Sequence, residues 1–206
     1  MIYGTGEYYK LIMTARNFLA ILLMIFIVQA EADFVSGGEA YKKGDYETAA
    51  KEFLPLAEKG DHRAMYALGS MYSVGHGVPQ DLNEALKWFL KAASFGRPDA
   101  EYKLGIMYAQ GLGVPQDYRK AINWYGKAAK KGYGEAQYKI GLMYAEGHGV
   151  TQDDIKAYAW LQTALSQGVS EAQDSLTATA SKLTPEQLTE AQALAQNYQK
   201  KYIKRW

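Results

Sequence analysis

The 206-residue chain contains no cysteine. That excludes disulfides, thiol nucleophiles, cysteine-ligated zinc and a lipid-modified cysteine, so packing alone must hold the fold. Charge of either sign is not in excess: 23 Lys and Arg against 22 Asp and Glu leave a net charge of +1. No global field recruits nucleic acid or anionic lipid, and no nucleic-acid partner is expected. Histidine is scarce. His62, His76 and His148 show no metal-ligand spacing, and neither H-E-x-x-H nor G-x-S-x-G occurs. The recurring acids Asp81, Asp117 and Asp153 read as helix caps. The chain is therefore expected to be non-catalytic, with no cofactor and no metal site.

Tyrosine, by contrast, is abundant, with 17 copies against 6 Phe and 4 Trp. Its ring and hydroxyl suit both recognition surfaces and half-buried packing. The other concentration is at the N-terminus, where residues 18–28 read FLAILLMIFIV without a charge. Arg16 precedes this run and Ala30-Glu31-Ala32 follows it, the layout of a secretory signal peptide. An apolar run of this length is short of the roughly 20 residues that span a bilayer. The expectation is a signal peptide over 1–32, cleaved after Ala32, no membrane span afterwards, and a periplasmic or secreted chain from Asp33. Met13 is the more usual start for such a signal. An uncleaved N-terminal anchor is the rival reading.

The rest of the chain repeats itself. YSVGHGVPQD at 72–81 returns as YAQGLGVPQD at 108–117 and YAEGHGVTQD at 144–153, each time 36 residues on. Aligned from Ala64, Ala100 and Ala136, the blocks share A-x-Y-x-[LI]-G-x-M-Y, then Trp88, Trp124 and Trp160. Each half has helical spacing: Ala100, Leu104, Met107 and Tyr108 fall on one face, and Ala121, Trp124, Ala128 and Ala129 on another. Glycines 111 and 113 end the first helix and turn the chain, and Asp117 caps the second. A phosphate-binding reading of G-x-G fails, because it needs a strand before the loop. Gly69, Gly105 and Gly141 sit inside helices, a cost of about 1 kcal/mol each relative to alanine that close helix–helix approach would explain.

These patterns predict an all-α, right-handed α-solenoid of stacked antiparallel helix hairpins with 36-residue repeats. Repeats occupy 64–99, 100–135 and 136–171. Residues 33–63 form an atypical N-terminal capping hairpin, where EAYKKGDY replaces the long loop. Residues 172–200 form C-terminal capping helices, with Thr184-Pro185-Glu186-Gln187 as a capping box, and 201–206 are a basic tail.

The pattern A-x-Y-x-L-G-x-M-Y-x-x-G-x-G-V-x-Q-D, followed by W-Y-x-K-A-A, resembles the Sel-one-like repeat, a relative of the tetratricopeptide repeat. The resemblance is strong over Ala64–Ala172, with Thr151 in place of the elbow proline and Leu161 in place of the aromatic after Trp160. It implies an interaction scaffold, of a kind often exported to the bacterial envelope, binding an envelope protein or peptide on its concave face. A cell-wall or polysaccharide-binding module is the alternative, and an envelope hydrolase a more distant one. The first helices of such hairpins line the concave face. Their expected partner-facing residues are Tyr66, Ser70, Tyr102, Lys103, Ile106, Tyr138, Lys139 and Leu142. The three tyrosines would form a ladder at about 10 Å spacing, or else merely hold neighbouring hairpins in register.

Overall fold

The computed structural model describes residues 5–203. Among them are ten α-helices and no strand. In order these are α1 (Thr5–Lys42), α2 (Tyr46–Glu58), α3 (His62–Val74), α4 (Leu82–Ser94) and α5 (Pro98–Gln110). Then follow α6 (Tyr118–Lys130), α7 (Gly134–Glu146), α8 (Asp154–Ser166), α9 (Ala172–Ala180) and α10 (Pro185–Tyr202). From α1 to α9 each helix packs chiefly on its neighbours in the chain, α3 on α4 within a hairpin and α4 on α5 between hairpins, while α10 reaches back to α8. The result is a right-handed α-solenoid of antiparallel hairpins, and α3 to α8 are each 13 residues long.

The elbow does two jobs. Gly75, Gly111 and Gly147 are left-handed helix ends whose amides bond back to Met71, Met107 and Met143. The second elbow glycine belongs to the joint with the preceding hairpin. A Cβ on Gly113 would sit 2.8 Å from Leu82 Cβ and 2.9 Å from the Leu82 carbonyl oxygen, and Gly77 and Gly149 meet the backbone of Tyr46 and Tyr118 in the same way. Asp81, Asp117 and Asp153 then cap the second helices through their carboxylates. Glu84 pairs with Lys87, so the Asp81 cap is one-sided.

The mid-helix glycines differ in one respect from the expectation of touching backbones. The space they leave is filled mainly by a side chain of the second helix. A Cβ on Gly69 would lie 2.8 Å from the Phe89 ring, and one on Gly141 2.7 Å from Leu161 Cγ; Gly105 is pressed against Tyr125. Gly37 faces Phe53 at 2.8 Å in the same manner. The first hairpin is thus a full repeat with a link of three residues, 43–45, in place of the seven at 75–81.

Its first helix is the end of α1, which continues unbroken through the expected cleavage point at Ala32. Phe34 lies 5.4 Å from Phe53, and Glu31 pairs with Arg63 at 2.8 Å. The helix outlasts the apolar run: Asn17–Lys42 is long and apolar enough to cross a membrane by length and composition. Phe18, Leu19, Met24 and Val28 are exposed on it.

At the other end α10 lies on α8, with Trp160 against Tyr198 and Tyr202 at 4.4 and 5.5 Å. Both bonds of the Thr184–Gln187 capping box are made. Lys204, Arg205 and Trp206 of the basic tail fall outside the described residues.

Candidate functional site

Along α3, α5 and α7 one stripe is buried and the next is not. Leu68, Leu104 and Ile140 face the core. Tyr66, Tyr102 and Tyr138 are half-buried, and so are Ser70, Ile106, Leu142, Lys103 and Lys139. A groove of about 590 Å³ at the N-terminal end includes Tyr66 and Ser70, with Phe34, Phe53, Arg63 and Arg97. A pocket of about 670 Å³ at the other end includes Tyr102, Tyr138 and Lys139. Between them, Tyr102, Ile106, Lys139 and Leu142 border a smaller hollow of about 270 Å³. Lys103 borders none of these three.

The tyrosines do not stack on one another. Tyr66 leans on Phe89 of the second helix of its own hairpin at 5.8 Å and Tyr102 on Tyr125 at 5.7 Å between ring centres, while Tyr138 packs against the cluster that contains Leu161. One face of each ring is therefore scaffold, and the other faces the grooves. Burial pushes the Tyr66 and Tyr102 hydroxyls above the ordinary tyrosine range, with the Asp99 and Glu135 carboxylates adding to it.

What covers the open face of each ring was missed in the sequence. The Arg63 guanidinium lies over Phe34 at 4.2 Å, and Arg97 lies over Tyr66 at 5.3 Å. Each is held by an aspartate two residues away, Arg63 by Asp61 at 2.8 Å and Arg97 by Asp99 at 3.0 Å. Arg97 also donates to His62 Nδ1 at 3.3 Å. The pairs are the same device with charges exchanged, because Arg97 holds the position of Asp61 one repeat on. In the next hairpin that position is Tyr133, whose ring lies 5.1 Å from Tyr102. One repeat further it is Val169, buried and apolar. The periodic signal was present: 61, 97, 133 and 169 read Asp, Arg, Tyr, Val against Arg63, Asp99, Glu135 and Glu171.

A second coupled set lies between the helices of each hairpin. Buried Glu101 bonds Lys131 at 2.6 Å, and Lys131 also donates to the Gly96 carbonyl at 2.9 Å. The same two positions hold Gln137 and Gln167 one repeat on, and Met65 and Phe95 one repeat back. The histidines likewise have a structural place. His76 stacks on Tyr46 at 4.1 Å and His148 on Tyr118 at 4.6 Å, each bridging to the preceding hairpin. Among the described residues no group of three His, Asp or Glu side chains is placed to hold a metal ion.

The comparisons agree with this architecture. The Sel1 repeat model matches residues 62–94, 98–133 and 134–169, more than half of the chain. No curated protein matches it in sequence. Among solved structures, a protective antigen of uropathogenic Escherichia coli with an SLR fold is 33% identical with a TM-score of 0.77, covering 84% of this chain and 38% of that one. A Sel1 repeat protein from Oxalobacter formigenes is 30% identical with a TM-score of 0.69, covering 80% of this chain and 69% of that one. Cysteine-rich protein B of Helicobacter pylori shares the fold at 22% identity and a TM-score of 0.50, covering 62% of this chain and 92% of that one. The chain thus spans well under half the length of the antigen. Proteins of this repeat type typically mediate protein–protein interaction and generally act as non-catalytic scaffolds. With three consecutive repeats matched and the hairpin geometry that goes with them, the chain belongs to the Sel1 repeat family.

Proposed function

We propose that the chain is a non-catalytic adaptor of the bacterial envelope that binds a partner protein or peptide along the concave face formed by α1, α3, α5 and α7. The observation that carries this is a contrast between adjacent positions. Glycines 69, 105 and 141, which must be small to fit the facing side chain, are the same in all three repeats. Their half-buried neighbours Ser70, Ile106 and Leu142 all differ, as Ala67 does from the pair Lys103 and Lys139. Ile106 and Leu142 pack on the core with only part of their surface, and positions whose packing tolerates several residue types are where partner specificity can be written. The grooves between them give a partner side chain somewhere to be desolvated, as binding hot spots require.

Export fits the N-terminal segment, with cleavage after Ala32 leaving Asp33 as the first residue. Such cleavage removes the Glu31–Arg63 pair and keeps Phe34 and Gly37 in the first hairpin. Mass measurement of the exported chain checks this; an intact 206-residue chain in the membrane fraction would instead mean a retained anchor.

For the face itself, a photo-crosslinking residue at Ile106 in the native host should capture a discrete envelope protein, while one at Lys87 on an outer helix should not. Capture of glycan alone at Ile106 would overturn the protein partner in favour of a wall-binding module. Capture only at Lys87 would overturn the choice of face.

A further inference from the structure

The Tyr66 slot shows what this fold does with a guanidinium. The Arg97 group lies over the ring at 5.3 Å while its Nε donates to Asp99 at 3.0 Å. Cation–π attraction and a charge-assisted, two-pronged hydrogen bond act together there. Two repeats on, the same three positions are Tyr138, Val169 and Glu171. The ring and the carboxylate are kept, and the arginine is replaced by a valine whose Cγ2 sits against Gly134. Valine is too short to cover the Tyr138 ring or to reach the acid.

The result is the 670 Å³ pocket, bordered by Tyr102, Tyr133, Tyr138, Glu135 and Glu171. Neither Glu135 nor Glu171 forms an ion pair among the described residues, and Glu171 only accepts a long bond from Ser170 Oγ at 3.4 Å. In the two earlier hairpins the equivalent charge is neutralised within the chain, by Arg63 with Asp61 and by Arg97 with Asp99. Among the described residues the one cation bordering the pocket is Lys139, whose ammonium lies over the Tyr138 ring at 5.4 Å, about as far as Arg97 from Tyr66, and pairs with neither acid. Glu135 and Glu171 are solvent-exposed, and with Lys139 they give the pocket rim a net charge of −1.

We infer that this pocket receives an arginine side chain of the partner, held by Glu171 as Arg97 is held by Asp99, and seated over Tyr138 in place of the Lys139 ammonium. Tyr102 and Tyr133 wall the slot, and Glu135 supplies the second negative charge that Lys139 offsets. The inference rests on the concave-face reading and narrows it to a partner segment with an exposed arginine. Lysine fits less well, because its point charge does not match a ring face and a carboxylate edge together.

The test uses the full chain in mild detergent, isotope-labelled for amide NMR, titrated with N-acetyl-arginine methylamide and with the leucine and lysine analogues. Saturable shifts confined to Tyr133–Lys139 and Gln167–Ala172 are expected for the arginine compound, with weaker response to lysine and none to leucine. Glu171→Gln should weaken arginine binding about fivefold or more, as loss of one charged hydrogen bond implies. Tyr138→Leu should weaken it as well; Glu171→Gln should unfold at the wild-type midpoint, while Tyr138→Leu loses packing on the core and is compared where it is still folded. Absent or diffuse shifts, or binding indifferent to Glu171→Gln, would overturn the inference. The two readings fail separately: partner capture at Ile106 that ignores Glu171→Gln leaves the groove standing without the arginine slot. Arginine binding that persists where Ile106 captures nothing leaves the slot standing without that partner.

Discussion

Gly105 and Ile106 are adjacent on α5, yet they answer to different constraints. Gly105 presses against the Tyr125 ring and has no room for a methyl group, and its equivalents at 69 and 141 are glycine too. Ile106 borders an open hollow, and its equivalents are Ser70 and Leu142. On the proposed reading, one helix carries a stacking position and a recognition position a single residue apart, separated by the 100° turn between neighbours on an α-helix. On that reading Gly69, Gly105 and Gly141 are fixed by stacking, Ser70, Ile106 and Leu142 vary with the partner, and the invariant tyrosines 66, 102 and 138 serve both.

The comparison is broken most severely where a packing glycine also has a left-handed backbone. Gly77, with φ of 69°, faces the Tyr46 carbonyl directly. Gly77→Ala should cost about 3 kcal/mol or more, from backbone strain and overpacking together, read as a lower urea midpoint. Next comes the buried pair in the second hairpin. Lys131→Met strands the Glu101 carboxylate and should cost about 2 kcal/mol, below the roughly 3–5 kcal/mol of a fully buried pair because Lys131 is partly exposed. Replacing both with Gln, which copies the third hairpin, should recover most of that loss. Gly105→Ala should cost about 1–2 kcal/mol, since overpacking outweighs the gain in helix propensity. Ile106→Gln should change stability by less than about 1 kcal/mol.

The smallest effect is a pH slope. Burial pushes the Tyr125 and Tyr133 hydroxyls above the ordinary tyrosine value, helped by Tyr102 in the first case and Glu135 in the second. Unfolded, these phenols ionise near pH 10. Below that pH both states hold the proton and stability is unaffected; above it the folded chain binds more protons, so stability falls as pH rises. Tyr125→Phe should flatten the decline, and a slope unchanged by that variant would count against the buried phenol as its source.

Most of the architecture was legible because its causes are local and repeated. Helix spacing, the capping aspartates and the left-handed glycines each depend on a few residues close in sequence. What stayed hidden was chemistry acting between repeats. The Arg63 and Arg97 lids act through rings 29 and 31 residues earlier, at Phe34 and Tyr66. The His76 and His148 stacks on Tyr46 and Tyr118 are of the same kind: Tyr46, Leu82 and Tyr118 change in step with His76, Leu112 and His148 one hairpin on. The end of the array was also written in the chain: Lys91 and Lys127 cover Trp88 and Trp124 at 4.1 and 3.7 Å, and Thr163 replaces them where α10 covers Trp160 instead. The candidate site was half legible. Its positions follow from the face of the helix, but the division into an arginine-lidded groove and an open tyrosine pocket requires knowing which side chain crosses to which ring.

The central claim is that recognition and stacking occupy separate stripes of the same helices. It is tested most directly by measuring the unfolding midpoint and the yield of the captured partner together for Ile106→Glu, with the crosslinker moved to Leu142. The account predicts that capture is lost while the midpoint stays close to that of the parent chain. Capture that survives, or that falls only in proportion to a lost fold, would contradict it.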